Sequence, residues 1–209
     1  MDKLLEAYSG DKARGYDARR SQSKRWKREV AAMEGMLAAI RPATVLDCPF
    51  GTGRWVEQYE AIGASVTGVD LSQGMLDEAA AKIATLPTDR RSAYVLRCAS
   101  IFDLAPAPGP APELAVCIRF LNWVPFADAE RALERLTALG SPAMIIGASL
   151  VPDDAGPLRR LWYRLSLGLI NLRSRNKPQQ HVHRETAFLA SLTRLGWRVA
   201  DRREIMRRN

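Results

Sequence analysis

Two carboxylates and a glycine-rich turn carry most of the chemistry that can be read from the chain. Asp47 closes a short apolar run and is followed by Cys48-Pro49-Phe50-Gly51-Thr52-Gly53-Arg54, where glycines let the backbone approach a ligand that side chains would hold off. Asp70 closes a second run, Val66-Thr67-Gly68-Val69-Asp70, a position from which a carboxylate can accept both hydroxyls of a ribose. The pair points to a nucleoside-bearing ligand. A dinucleotide fits poorly, because Val56 stands where the third glycine of GxGxxG would be and Asp47 would face a diphosphate. Each acid also has a structural use, Asp47 as a cap of the next helix and Asp70 as a turn former. Proton transfer near neutral pH falls to the only two histidines, His181 and His183. His183 is the candidate catalytic base, against the alternative that His-Val-His is an extended segment or a first helical turn. Cys48, Cys98 and Cys117 are widely spaced with no CxxC or Cys/His cluster, which excludes a disulfide framework and predicts no metal site.

These residues need a scaffold that brings strand ends together. Apolar runs at 44–48, 65–70, 93–97, 114–118 and 143–149 alternate with helical patterns at 55–62, 73–86 and 127–139. An amphipathic helix at 24–40 precedes them, and the stiff PAPGPAP loop separates the third strand from the fourth. Single helices between strands specify a parallel sheet, since each parallel crossover needs a connection of helix length. The expectation is a doubly wound α/β fold with helices on both faces. After residue 151 the rhythm changes to a helix at 157–175, a loop at 176–183, a helix at 185–195 and a strand at 197–205. An antiparallel closing hairpin would need one strand more, so the final strand is expected to be missing.

The 209 residues fit one domain, with 1–42 as an amino-terminal helical cover and 152–183 as a lid-like insertion. The apolar stretches are too short to span a bilayer and the amino terminus lacks the apolar core of a secretory signal, so a cytoplasmic location is expected. The net charge of +8 is unevenly spread. Residues 11–30 hold 8 Lys/Arg against three acids and 157–177 hold 6 against none, while 43–157 hold 8 basic residues against 14 acidic ones. A basic periphery around an acidic centre suits an anionic partner, unless the arginines are merely solvated.

VLDCPFGTGRW and VTGVDLSQGML together resemble the first two motifs of the class I S-adenosylmethionine-dependent methyltransferases, in their small-molecule group. The element order from Tyr16 to Ile205 follows the same plan. The resemblance implies a Rossmann-like methyltransferase fold with S-adenosylmethionine as cofactor. The turn with Asp47, Pro49, Gly51 and Gly53 would hold the methionine part, although Pro49 replaces a glycine and supplies no amide hydrogen. Asp70 would bind the ribose, with Leu71 and Met75 flanking the adenine. Ser100 stands where the family commonly has an acid near the adenine amino group, and Ile101 would pack on the ring. Both have a scaffold role as the alternative. Arg119 counts with the cofactor-binding residues, at a fourth-strand end whose backbone carbonyls would meet the cofactor's ammonium and which would present Arg119 to the acceptor, and Tyr16 and Arg20 would contact the cofactor from the amino-terminal cover. The implied reaction is direct in-line methyl transfer to a small anionic or lipid-linked acceptor, the lipid suggested by the apolar stripe and arginines of 157–175. RNA methylation is the rival, without an RNA-binding module or an Asn-Pro-Pro-aromatic run to favour it. A non-catalytic cofactor-binding protein is another. Oligomeric state is not expressed in the sequence.

Overall fold

The computed structural model describes residues 23–153, 165 and 179–206. Tyr16, Arg20 and most of the helix expected at 157–175 lie outside that set. Helix α1 (Lys24–Ile40) begins at Ser23, whose hydroxyl accepts the Trp26 N–H at 3.1 Å, and ends before Pro42. There follow β1 (Thr44–Asp47), α2 (Val56–Ile62), β2 (Ser65–Asp70), α3 (Gln73–Ile83), the single turn α4 (Thr88–Arg91) and β3 (Tyr94–Cys98). The second half holds β4 (Leu114–Cys117), α5 (Phe126–Ala138), β5 (Ala143–Ile146), the two-residue strands β6 (Leu150–Val151) and β7 (His183–Arg184), and α6 (Glu185–Arg194).

Strands β1 to β5 form one parallel sheet in the order β3-β2-β1-β4-β5. The central strands are buried on both faces, and alternate residues feed two apolar layers. Val45, Val66, Leu114 and Val116 join Met33, Leu37, Tyr59, Leu76 and Ala79 on the side of α1, α2 and α3. Leu46, Val69, Ala115 and Cys117 join Ala129, Leu133, Leu136, Phe188 and Leu192 on the side of α5 and α6. The doubly wound expectation is therefore met, with the direction of winding reversing between β1 and β4. At that switch point the carboxyl ends of the strands diverge and leave a crevice.

Residues 197–206 form no strand, contrary to the pattern read at 197–205. Arg198, Asp201, Arg202, Arg203 and Glu204 leave the segment too charged to bury a sheet face, and residues 198–204 are exposed. It is tied instead by side chains. Trp197 Nε1 donates to Thr137 Oγ1 at 2.7 Å, and Arg28 donates to the Ile205 carbonyl at 3.2 Å. The strand expected at 143–149 also stops early, at Ile146, and the chain resumes as β6, which pairs in parallel with β7.

Candidate functional site

The crevice opens into a cleft of about 1520 Å3, beyond the roughly 300–1,000 Å3 that suffices for one drug-sized ligand. Pro49, Gly51, Asp70, Leu71, Met75, Ser100, Ile101 and Arg119 line it, with Trp123, His181 and Asp201 among others.

Under the β1 and β2 tips the geometry is set by backbone. Gly51 (φ 60) and Gly53 (φ 66) are left-handed, which turns the chain back after Pro49, and a Cβ on Gly51 would enter open space. Phe50 packs so close over β2 that a Cβ on Gly68 would lie 2.6 Å from its ring. The turn then hands its N–H to the second acid: Gly51 N–H donates to Asp70 Oδ2 at 2.8 Å and Ser72 N–H to Oδ1 at 2.9 Å. Asp70, only 9% exposed, has its pKa raised by burial, against the pull of the Ser72, Gly51 and Leu71 amides. Ser72 also caps α3 through the Met75 N–H. Ser100 lines the cleft while its hydroxyl accepts the Phe102 N–H at 3.2 Å.

Asp47 takes a different position from the one read in the sequence. At 1% exposure it lies beneath the turn and is not among the cleft-lining residues, nor is Gly53. Tyr59 of α2 donates to Asp47 Oδ2 at 2.9 Å, while Oδ1 has no partner. Burial pushes the Asp47 carboxyl up to about 8, with the Tyr59 hydrogen bond opposing and the Asp70 charge adding to the rise.

Helix α1 closes the site over the β1 and β4 tips with a buried acid. Glu29, 8% exposed, continues the buried stripe that runs through Met33 and Leu37. Its Oε2 accepts from Arg54 and from Arg119, at 2.8 Å for Arg119 Nη2 and 3.1 Å for Nε, and its Oε1 accepts from Arg25 at 2.8 Å. Burial alone would raise the Glu29 pKa, yet Arg119, Arg25 and Arg54 together hold it below the usual carboxylate value. The Arg54 guanidinium lies 3.7 Å from the Trp26 ring centre and 4.2 Å from that of Trp55, a double cation–π contact. Arg119 is left-handed (φ 65), an uncommon conformation for a residue with a side chain.

The β4–β5 side of the cleft is laced by hydrogen bonds between distant segments. The Asn122 side chain accepts the Ser149 N–H, its carbonyl accepts the His181 N–H at 2.7 Å, and the Ser149 carbonyl accepts the His183 N–H at 2.9 Å. His183 does not line the cleft. At 3% exposure its ring stacks on Phe188, and its Nε2 bonds the Leu121 carbonyl at 2.7 Å. A carbonyl only accepts, so Nε2 carries the proton. His181 lines the cleft, and burial and then the neighbouring His183 lower its pKa. Asp153 accepts from Arg184 at 2.8 Å and from the Thr186 N–H at 2.9 Å, which fastens the chain after β6 to the start of α6.

Sequence reasoning missed Glu29, Arg54 and Tyr59. The signal for Glu29 was an acid four residues before Met33 on an otherwise apolar stripe; Arg54 stood at the end of the quoted turn.

Residues 45–142 match a family model described as a methyltransferase domain. Among solved structures, magnesium protoporphyrin IX methyltransferase from Synechocystis PCC 6803 with bound SAM superposes with a TM-score of 0.67 at 17% identity, over 96% of this chain and 88% of that one. A putative methyltransferase of Haloferax volcanii, solved in complex with the Trm112 methyltransferase activator, gives 0.66 at 13% identity over 95% and 77%. The DhpI–SAH complex gives 0.54 at 21% identity over 71% and 69%. No curated protein sequence matches the chain.

Proposed function

Residues 45–142 form a methyltransferase domain, and we propose that the chain is a class I S-adenosylmethionine-dependent methyltransferase that methylates a small anionic acceptor bound beside the β4 and β5 tips. The observation that carries this reading is that one cleft joins two unlike surfaces. Asp70, Leu71, Met75 and Ile101 lie on the β2–β3 side, while Arg119, Trp123 and His181 lie on the β4–β5 side.

The residues present fit the cofactor. Asp70 accepts the Gly51 N–H on Oδ2 and the Ser72 N–H on Oδ1, and the roughly four lone-pair sites of a carboxylate leave it capacity for ribose hydroxyls. The open space beside Gly51 leaves the backbone of the turn approachable. Leu71, Met75 and Ile101 supply apolar surface for a base, and Ser100, its hydroxyl already engaged by Phe102, has acceptor capacity left. Asp47 contributes from beneath, by fixing α2 to the strand end through Tyr59.

When bound, the cofactor supplies a methyl group on a sulfonium, a leaving group that needs no acid. The protein's work is then to align and to exclude water. Asp70 and the turn fix one partner, and the arginines of the β4 side attract the other. His181, its pKa lowered, is neutral near pH 7 and is the group we assign to accept a proton from the acceptor. His183, the base expected from sequence, instead holds the wall through Leu121. Among the described residues no helix is long and apolar enough to cross a membrane.

Calorimetric titration of the wild type and Asp70→Ala with S-adenosylmethionine and its demethylated product tests the cofactor side. Micromolar binding that weakens about 100-fold in the variant is expected, the equivalent of about 2.7 kcal/mol. Folded wild type that binds neither would overturn it. A screen for methyl transfer from labelled cofactor to carboxylate, phosphate and neutral acceptors tests the other side, and turnover restricted to neutral acceptors would count against the anionic assignment.

A further inference from the structure

We propose that Arg119, together with Arg54 and Arg25 around Glu29, forms an anion subsite that takes a carboxylate or phosphate of a ligand in the cleft. It rests on the reading of the cleft as a methyltransferase site.

Three guanidinium groups converge on the one Glu29 carboxylate where the cofactor turn meets the β4 tip. Arg119 Nη1 is buried and has no hydrogen-bond partner, whereas Nε and Nη2 of the same group are both spent on Glu29. A buried donor without an acceptor costs about 1–3 kcal/mol, and an acceptor brought by a ligand removes that cost. The position is also over-determined. The backbone of Arg119 is left-handed, and its guanidinium lies 5.7 Å from the Trp26 ring centre. Strain of this kind persists where surrounding structure enforces it, and here the enforcement comes from α1. Glu29 is thus a positioning residue that presents the arginines. A planar guanidinium pairs with carboxylate or phosphate through parallel hydrogen bonds, which assigns the ligand chemistry.

Such an anion has two sources, the methionine carboxylate of the cofactor or an anionic group of the acceptor. Arg119→Asn separates them, because asparagine tolerates the left-handed backbone and removes the guanidinium. The titrants are S-adenosylhomocysteine, which has the carboxylate, and 5′-methylthioadenosine, which lacks it. The third is sulfate, added to protein saturated with S-adenosylhomocysteine. A tenfold or greater loss of S-adenosylhomocysteine affinity in Arg119→Asn, with methylthioadenosine unchanged, assigns the subsite to the cofactor. Unchanged nucleoside affinities with sulfate binding weakened tenfold assign it to the acceptor. Arg119→Lys, which keeps the charge and loses the fork, is expected to fall between. All three titrants unaffected in folded Arg119→Asn overturns the subsite while leaving the methyltransferase reading intact. S-adenosylhomocysteine that fails to bind the folded wild type removes that reading, and the subsite with it.

Discussion

The two sides of the cleft are built by different means. On the β1–β2 side the chain positions the cleft-lining acid locally: Gly51 and Ser72 reach Asp70 across 19 and 2 residues, and both of these contacts are backbone N–H to carboxylate. Toward β4, side chains bridge large separations, 90 residues from Glu29 to Arg119, 62 from Leu121 to His183 and 27 from Asn122 to Ser149. A backbone-built surface varies little with side-chain changes and suits a fixed cofactor. A side-chain-built one can be respecified residue by residue, which suits an acceptor that differs between relatives.

The contrast breaks most visibly at Glu29. Glu29→Gln removes the negative charge shared by three arginines and replaces one of the two accepting oxygens with a donor, and breaking a buried ion pair costs about 3–5 kcal/mol. Arg25 is half-exposed, which puts the expected loss at the lower end, about 3 kcal/mol. That corresponds to a melting temperature roughly 6–12 °C lower for a chain of this size. A change under 2 °C by thermal melting would show that α1 is held by its apolar stripe alone.

The two histidines sharpen the contrast within the β4 side. His183→Phe keeps the ring contacts with Phe126 and Phe188 but leaves the buried Leu121 carbonyl unpaired, at about 1–3 kcal/mol. A melting temperature lower by roughly 2–12 °C is expected. His181→Gln, which removes no side-chain hydrogen bond among the described residues, is expected to stay within about 2 °C of the wild type and to lose turnover once an acceptor is found. The reverse pattern, a silent His183→Phe and an unstable His181→Gln, would exchange their roles.

The same division decides what could be read from the sequence. The five-stranded core was legible because the central strands are apolar and the crossovers have helix length, and β2 and α1 fall on the residues their patterns indicate. Gly51 and Asp70 were legible because a turn needing positive φ demands glycine and a strand end with an acid is uncommon without a use. Asp47 was visible as an acid, but its partner Tyr59 lies on the next helix, and nothing local shows that the carboxylate is roofed over. The residue alternation of His-Val-His does not say which ring is buried; Leu121, Phe126 and Phe188 decide that from elsewhere in the chain. The strand expected at 197–205 failed because the charges of that segment leave no face to bury.

Asp47 offers the finest test, because it is a buried acid on the backbone-built side with no apparent ligand duty. Its carboxyl is raised to about 8 in the folded chain from an ordinary 3.8. Between those values the folded state keeps a proton that the unfolded state has released, so folding binds protons and stability falls as pH rises. Below about pH 4 both states are protonated, and above about pH 8 both are ionised. One pH unit of such displacement corresponds to about 1.4 kcal/mol, or roughly 3–6 °C in melting temperature. Asp47→Asn keeps the hydrogen bond from Tyr59 and removes the titration. The wild type is therefore expected to lose at least about 3 °C against the variant as pH is raised from 5 to 8, measured without cofactor. Parallel melting curves across that range would mean that Asp47 stays ionised beneath the turn. Its unpartnered oxygen would then be read as a contact for a cationic ligand group, and the acid would return to the cofactor-binding surface.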